Sequence, residues 1–168
     1  MPVKIERANE LDVDAIVSIY NWAILNTSAS FEIEERTVEQ QLAWFQAHDE
    51  KHPVIVARRQ EEGENVVGWG SITRWSTKPA YDGMAEISVY VHPDYHGCGV
   101  GREIILALIE LGRKGGFRTL VSQISETAEA SLHLHRKLGF VDTGILKRAG
   151  VKFGQEVDVL VLQIFFDN

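Results

Sequence analysis

The chain has 168 residues, 45% of them hydrophobic and 24% charged, a composition typical of a globular protein long enough to bury one core. Its formal net charge of −7 argues against a nucleic-acid partner, because phosphate binding needs a basic surface. The one cysteine excludes an internal disulfide framework and agrees with a reducing cytoplasm, and no apolar run approaches the ~20 residues of a membrane span. We therefore expect a single cytoplasmic domain over residues 1–168, without a membrane segment.

The first half of the chain is predicted to hold two helices and four strands. Val3–Arg7 alternates apolar and polar residues, as a short strand does. Apolar side chains at helical spacing over residues 13–24 predict the first helix, with Asn9 or Asp12 as its N-cap. The segment Thr37–Gln40 matches a capping box and predicts the start of a second helix. Three strands then follow without an intervening helix: Val54–Arg58, Val66–Arg74 and Met84–Val91.

The second half alternates helices and strands before it closes with two strands. A glycine-rich loop leads into a helix with one apolar face, which is followed by the elements Thr119–Ile124 (strand), Ala128–Leu138 (helix), Phe140–Arg148 (strand) and Gln155–Phe165 (strand). The resulting order, β-α-α-β-β-β-α-β-α-β-β, predicts an α/β (α+β layered) domain with a mixed, largely antiparallel sheet of about seven strands flanked by four helices. A doubly wound fold is excluded, because three strands run without helices between them.

The most informative segment is 89–101, where glycines at positions 97, 99 and 101 stand between a strand and a helix. Glycines let backbone N–H groups approach a ligand closely, and a helix N-terminus favours anions. Together they predict a pyrophosphate-binding loop, with a ligand-free turn as the alternative. Arg102-Glu103 does not match the P-loop pattern, and a dinucleotide loop would follow the first strand of the fold rather than the fourth.

This arrangement resembles the GNAT superfamily of N-acetyltransferases over nearly the whole chain. The resemblance rests on Val89–Val91, Gly97–Arg102 and Leu134–Phe140. It is closest to the branch that contains the phosphinothricin and methionine sulfoximine acetyltransferases, which is indicated by the segments Ile19–Asn21, Ser30–Phe31, Trp75, Ala80–Asp82, Glu86–Val91 and Ala149–Gly154. The resemblance implies acetyl-CoA as co-substrate, direct transfer without an acyl-enzyme, and a homodimer.

The same resemblance implies where acetyl-CoA binds. A free backbone N–H near Val89 or Val91 is expected to polarise the thioester carbonyl, exposed by a local irregularity such as a bulge. His96 departs from the Gln or Arg that begins the family loop, so a side-chain contact to phosphate is either lost or pH-dependent. Ala128 departs from the usual Asn before the fourth helix, so either Ser131 or Glu129 replaces its hydrogen bond or the affinity for the cofactor is weaker. The predicted cofactor-binding residues are Val89, Tyr90, Val91, Gly97, Cys98, Gly99, Val100, Gly101, Arg102, Ser131 and Lys137.

Acetyl transfer to an amine needs a base, a polarised carbonyl and a proton for the departing thiolate. Glu86 is the predicted base: it lies on the strand that leads to the glycine loop, alternation places it on one face with Ser88 and Tyr90, and the resemblance matches it to the family's Glu. An exposed carboxylate without a chemical role is the alternative. By the resemblance, His135 stands where many members carry a proton-donating Tyr, and a buried histidine without a role is its alternative. His133 and His135 point about 200° apart on a helix, so no metal pair is predicted.

The predicted acceptor site combines aromatic side chains with one cation. Phe31, Trp75, Lys78 and Tyr81 lie in the two irregular segments that flank Glu86, and Lys78 is expected to pair with the acceptor's carboxylate. The resemblance supports this cluster, and packing without a role in recognition is the alternative for each aromatic. By the resemblance, the hairpin with Lys152-Phe153 reaches the substrate or a dimer partner.

The sequence thus predicts an N-acetyltransferase that acts on the α-amino group of a small amino acid or analogue, such as methionine sulfone, methionine sulfoximine or phosphinothricin. An acetyltransferase for protein N-termini or lysines and a non-catalytic CoA-binding sensor are the alternatives.

Overall fold

A computed structural model describes residues 2–61, 63 and 65–167 and confirms the predicted order of elements. The strands are β1 (Val3–Arg7), β2 (Val54–Arg59), β3 (Val66–Arg74), β4 (Met84–Val91), β5 (Thr119–Ser125), β6 (Val141–Lys152) and β7 (Gln155–Phe165). The helices are α1 (Val13–Asn26), α2 (Val38–Gln46), α3 (Val100–Lys114) and α4 (Glu129–Lys137), and short 3-10 turns span Glu10–Asp12, Pro79–Tyr81 and Pro93–Tyr95. None of the described helices is long and apolar enough to cross a membrane.

The strands form one sheet in the order β1-β2-β3-β4-β5-β7-β6. Only the β4–β5 pair is parallel among the described strands, which confirms the predicted mixed, largely antiparallel sheet. Helix α3 covers one face of the sheet, where glycines on β3 admit it closely: a Cβ on Gly70 would lie 2.6 Å from Cγ2 of Ile104. On the other face, α1 packs against Trp69 of β3 through Ile16 and Ile19.

Local signals predicted the start of α2 correctly but not the capping of α1, where Asp12 stands at the N-cap position without a side-chain hydrogen bond to the helix. Thr37 and Gln40 form the predicted capping box at the start of α2. Asn9 caps the 3-10 turn that precedes α1 rather than α1 itself, because its side chain accepts from Leu11 N while the Asp12 carboxylate accepts from Asn9 N.

Strand β6 differs most from its predicted bounds. It begins at Val141 rather than Phe140, and it runs four residues beyond Arg148 to Lys152. A register shift between Leu146 and Gly150 lets the strand absorb extra residues, and Arg148 takes a left-handed conformation with φ of 52° inside it. Such a bulge interrupts the alternation of side chains along a strand. A prediction from alternation therefore ends the strand at the bulge, four residues too early.

Candidate active site

A cavity of about 570 Å³ opens where β4 and β5 part, a volume suited to a small organic ligand. The parallel pairing of these strands ends at Glu86 and Val121, and the strands diverge beyond it. The cavity is lined by Glu86–Tyr90 of β4, by Ser122–Ser125 of β5, and by the segment Ser28–Glu32 between α1 and α2, which we call the α1–α2 loop.

The parting of the strands leaves backbone N–H groups of β4 open. Pairing of β4 with β3 continues through Val91 without a register shift, so the predicted bulge on β4 is wrong. The N–H of His92 donates to Val67 O at 2.9 Å, which directs the N–H groups of even-numbered β4 residues toward β3. Val89 and Val91 therefore direct theirs toward the side that β5 has left. Strand divergence, rather than a bulge, exposes them.

Glu86 lies half-buried in the cavity lining. Burial raises the pKa of its carboxyl above the ordinary value, and a 3.2 Å hydrogen bond from Gln123 Nε2 to its Oε2 opposes that rise. A carboxylate with a raised pKa inside a cavity is suited to take a proton from a bound ammonium group.

Tyr90 lies on the same face of β4 as Glu86, but its side chain is held in place by packing and a hydrogen bond. Its ring packs between Tyr20 and Trp69, with centroid distances of 4.9 and 5.0 Å, and its hydroxyl donates to Ala29 O at 3.2 Å. Burial raises the pKa of Tyr90 well above its ordinary value, so the phenol stays protonated. Through its hydrogen bond to Ala29, the Tyr90 side chain connects β4 to the α1–α2 loop.

His135 is buried and lies behind the cavity wall. Its Nδ1 donates to the Ser131 carbonyl at 2.8 Å, since a carbonyl can only accept, and its Nε2 pairs with Ser122 Oγ at 3.1 Å. In the neutral ring Nε2 is then the acceptor from the Ser122 hydroxyl. Burial lowers the pKa of the imidazole. His135 does not line the cavity itself and is connected to it through its hydrogen bond with Ser122, which does.

The glycine loop turns tightly into α3. Gly97 and Gly99 have φ of 74° and 84°, a left-handed conformation that favours glycine, and a Cβ at either would meet no atom within 4 Å. Gly99 is the N-cap of α3, so the first N–H groups of the helix lie next to the loop and have no partner within the helix. Arg102 is exposed in this first turn and pairs with Glu103 at 2.7 Å.

His96 contacts the backbone of β4 rather than the open side of the loop. Its Nε2 donates to the Val91 carbonyl at 2.9 Å, and its ring packs edge-on against Trp22 with centroids 5.6 Å apart. Cys98 is exposed. The Val100 side chain is buried in the core, so this residue offers a ligand only its backbone.

Comparison with known proteins identifies the family. Residues 16–140 match the family model described as Acetyltransferase (GNAT) family. The chain belongs to the GNAT acetyltransferases. The predicted family is confirmed, and the protein is an acetyltransferase.

Related acetyltransferases match over nearly their full length. The chain is 37% identical to the L-amino acid N-acyltransferase MnaT of Escherichia coli, covering 99% of this chain and 95% of that one. It is 35% identical to an L-methionine sulfoximine/L-methionine sulfone acetyltransferase of Salmonella typhimurium, covering 96% and 93%. The structure of yncA from Salmonella typhimurium with its cofactor acetyl-CoA superposes with a TM-score of 0.93 at 34% identity, covering 100% of this chain and 96% of that one.

The acetyltransferase cavity brings together only part of the predicted site. Glu86, Val89, Tyr90, Ser131 and Phe31 line it. Several other predicted residues do not: Trp75, Lys78 and Tyr81 lie exposed in the segment between β3 and β4, and Lys137 is exposed near the end of α4.

Lys152 was expected to reach the substrate or a partner, and the structure corrects this. Its side chain is buried, and its ammonium group donates to the backbone carbonyls of Ser30 and Glu32. It therefore holds the α1–α2 loop instead of facing the cavity. Phe153 is 63% exposed at the tip of the β6–β7 hairpin, away from the cavity lining.

Sequence reasoning missed much of the polar lining. Ser122, Gln123 and Ser125 are polar residues of a largely buried strand, and polar residues in such a strand are a signal that could have revealed them. Ser28 carried no comparable signal, because it lies in an irregular segment, and Ser30 was marked only by the family resemblance of Ser30–Phe31. Among the described residues, no group of three or more His, Cys, Asp and Glu side chains could hold a metal ion.

Proposed function

We propose that this acetyltransferase moves the acetyl group of acetyl-CoA to the α-amino group of a small amino acid or analogue, such as methionine sulfone, methionine sulfoximine or phosphinothricin. The observation that carries the proposal is the half-buried Glu86 carboxylate in a cavity of about 570 Å³, beside the open edge of β4. The names of the two relatives above, an amino-acid acyltransferase and a methionine sulfoximine acetyltransferase, support the class of acceptor.

The backbone hydrogen-bond donors at the open edge of β4 fit acetyl-CoA. The free N–H groups of Val89 and Val91 can pair with the carbonyl oxygens of an extended, amide-containing arm, as a strand edge pairs with an added strand. The glycine loop and the first turn of α3 offer N–H groups and a positive dipole end to a pyrophosphate. Tyr90, Ser131, Arg102 and Lys137 complete the proposed cofactor-binding set, together with residues 97–101.

In the proposed reaction, Glu86 takes a proton from the acceptor's ammonium group, directly or through water, and so generates the neutral amine. The cofactor supplies the thioester, whose carbonyl oxygen is held by a β4 N–H. The new C–N bond forms as the C–S bond breaks, and the second amine proton leaves while the thiolate gains one. His135 is the predicted proton source, but its neutral Nε2 accepts from the Ser122 hydroxyl and carries no proton, so we propose that the second amine proton reaches the thiolate directly or through water.

For the acceptor, we propose that Phe31 of the α1–α2 loop forms one wall of the site. Trp75, Lys78, Tyr81 and Phe153 lie outside the lining of the cavity, so they contact an acceptor only where it extends beyond it.

The test is a thiol-release screen with acetyl-CoA and free amino acids, sulfoximines, phosphinothricin and short peptides. We expect turnover of small amino-acid analogues and a fall in kcat/KM of about 100-fold or more for Glu86→Gln. Glu39→Gln, at an exposed position of α2, is the control. The base assignment is wrong if Glu86→Gln acts like wild type, and equal turnover of peptides contradicts the small acceptor. Binding of CoA without acetylation of any amine supports a sensor instead.

We also propose that residues 1–168 form one catalytic domain that works as a cytoplasmic homodimer. One sheet joins strands from both ends of the chain, which supports a single domain. The edge strand β6 carries exposed apolar side chains, Ile145, Leu146 and Val151 among them, which supports burial against a second copy.

A further inference from the structure

Lys152, the last residue of β6, is a buried cation that the proposed chemistry does not use. Its side chain is only 5% exposed. Its Nζ lies 2.8 Å from Ser30 O and 2.5 Å from Glu32 O, and 5.3 Å from the centre of the Phe153 ring. Within the described part of the chain, no carboxylate oxygen lies within 4.0 Å of this ammonium group. The hydrogen bonds of the Lys152 ammonium group therefore go to the α1–α2 loop.

The two carbonyls that it binds flank Phe31, which lines the acceptor cavity. A buried cation must be compensated by hydrogen bonds, and a segment that supplies its carbonyls to one is held in a narrow range of positions. Other contacts of this loop include the hydroxyl bond between Tyr20 OH and Ser30 Oγ at 3.0 Å and the solvent-exposed ion pair between Glu32 and Arg36 at 3.4 Å, which constrain it less. Lys152 is therefore a strong constraint on the position of Phe31.

A second contact from the same hairpin acts on Phe31 directly. The ring packs against the backbone of Gly150, where a Cβ would lie 2.7 Å from the ring atoms Cδ2 and Cε2. Gly150 and Lys152 both lie on β6, after its register shift. The β6–β7 hairpin thus contacts the ring through Gly150 and the backbone on either side of it through Lys152.

We propose that Lys152 is a positioning residue for the acceptor: by binding the backbone on both sides of Phe31, it sets the wall of the cavity that the acceptor contacts. This inference rests on the proposed function, because it takes the cavity beside Glu86 as the acceptor site. It assigns Lys152 no contact with substrate.

The test compares Lys152→Met, which keeps an unbranched side chain without donors, with Lys152→Arg, which restores them. Lys147→Met is the matched control, because Lys147 lies on the same strand and is exposed, paired with Asp158. Each variant is measured for the KM of the best acceptor, the KM of acetyl-CoA, and hydrogen exchange of residues 27–36.

For Lys152→Met we expect the acceptor KM to rise about tenfold and exchange in residues 27–36 to accelerate, because the charge-assisted bonds are lost. The KM of acetyl-CoA should stay within about twofold, and Lys152→Arg should recover most of the acceptor KM. Lys147→Met should match wild type in all three measurements. An unchanged acceptor KM in Lys152→Met, or an equal rise of both KM values, overturns the inference.

Gly150→Ala provides a second route if Lys152→Met does not fold. It displaces the Phe31 ring while Lys152 remains, so the acceptor KM should rise with little change for acetyl-CoA, and an unchanged acceptor KM counts against the inference. Wild-type protein that acetylates no amine refutes the proposed function itself. Active wild-type protein with Lys152 variants of normal acceptor KM refutes only the role of Lys152.

Discussion

The protonation of Glu86 depends on two opposing influences at the scale of single side chains. Burial raises the pKa of its carboxyl, and the hydrogen bond from Gln123 lowers it. Both residues stand where β4 and β5 begin to part, so one side chain from each strand meets at the mouth of the cavity. The proposed base is therefore adjusted by a residue on the neighbouring strand.

Gln123→Leu is expected to raise the pKa of Glu86 further, because the opposing hydrogen bond is lost. A base must be deprotonated to act, so the acid limb of kcat/KM should move to higher pH. A hydrogen bond contributes about 0.5–1.5 kcal/mol, so on that limb kcat/KM should fall roughly two- to tenfold, with little change at high pH. The pH profile measures this. Gln163→Leu, which loses only a contact to Thr119 on β5, is the control, and an unmoved limb in Gln123→Leu contradicts the prediction.

Buried histidines predict a pH dependence of stability. Desolvation lowers the pKa of both His135 and His48, so below the ordinary pKa of about 6.5 the unfolded chain takes up protons that the folded chain does not. The free energy of unfolding should therefore fall between about pH 7.5 and pH 5.5.

Urea denaturation at these two pH values tests the assignment. His135→Gln is expected to lower stability at pH 7.5 but to show a smaller difference between the two pH values than wild type does. His133→Gln, at an exposed position of the same helix, should keep the wild-type difference. A His135→Gln difference as large as that of wild type argues against His135 as a source of the pH dependence.

At the scale of elements, the start of α3 combines backbone conformation with ligand binding. Gly99 has φ of 84° and open space around it, so a side chain there meets strain but no clash. Gly144 also has open space and lies outside the left-handed region. Because neither position is crowded, a comparison of the two isolates the effect of the left-handed backbone conformation.

Gly99→Ala should cost about 1 kcal/mol of unfolding free energy, because alanine is strained at this φ. It should also weaken acetyl-CoA binding severalfold by shifting the N–H groups of the first turn of α3. Gly144→Ala should change neither quantity appreciably. Urea denaturation and calorimetric titration with acetyl-CoA measure both, and equal affinities of the two variants contradict the proposed cofactor loop.

At the scale of the whole molecule, the exposed β6 edge bears on assembly. Ile145 is 54% exposed on this strand, whereas Leu11 is 91% exposed before α1, at the opposite end of the sequence. Light scattering coupled to size exclusion should give a dimer mass for wild type and for Leu11→Lys, and a monomer mass for Ile145→Lys, because a charge cannot be buried unpaired in an apolar interface. A monomer mass for wild type at micromolar concentration contradicts the homodimer.

Most of the fold could be predicted because its signals are local. The capping box at Thr37–Gln40 and the alternation of β1 and β4 depend on neighbouring residues, and such local signals give the element order. The bounds of β6 could not be predicted, since its bulge depends on pairing with β7. Glu86 could be proposed from its own strand and the family resemblance. Its contact with Gln123 could not, because that contact depends on how two strands lie beside each other.

Lys152 shows most clearly what only the tertiary structure decided. As a charged residue in a hairpin, its type and spacing are compatible with a substrate contact, a partner contact or an exposed surface. The folded chain instead buries its ammonium group against carbonyls more than 100 positions away along the chain. By itself, the sequence determined the elements, the glycine loop and the resemblance to a family, because these depend on residues close together in the chain. The cavity, the open edge of β4 and the role of Lys152 arise from contacts between distant segments, which form only when the strands and loops pack together.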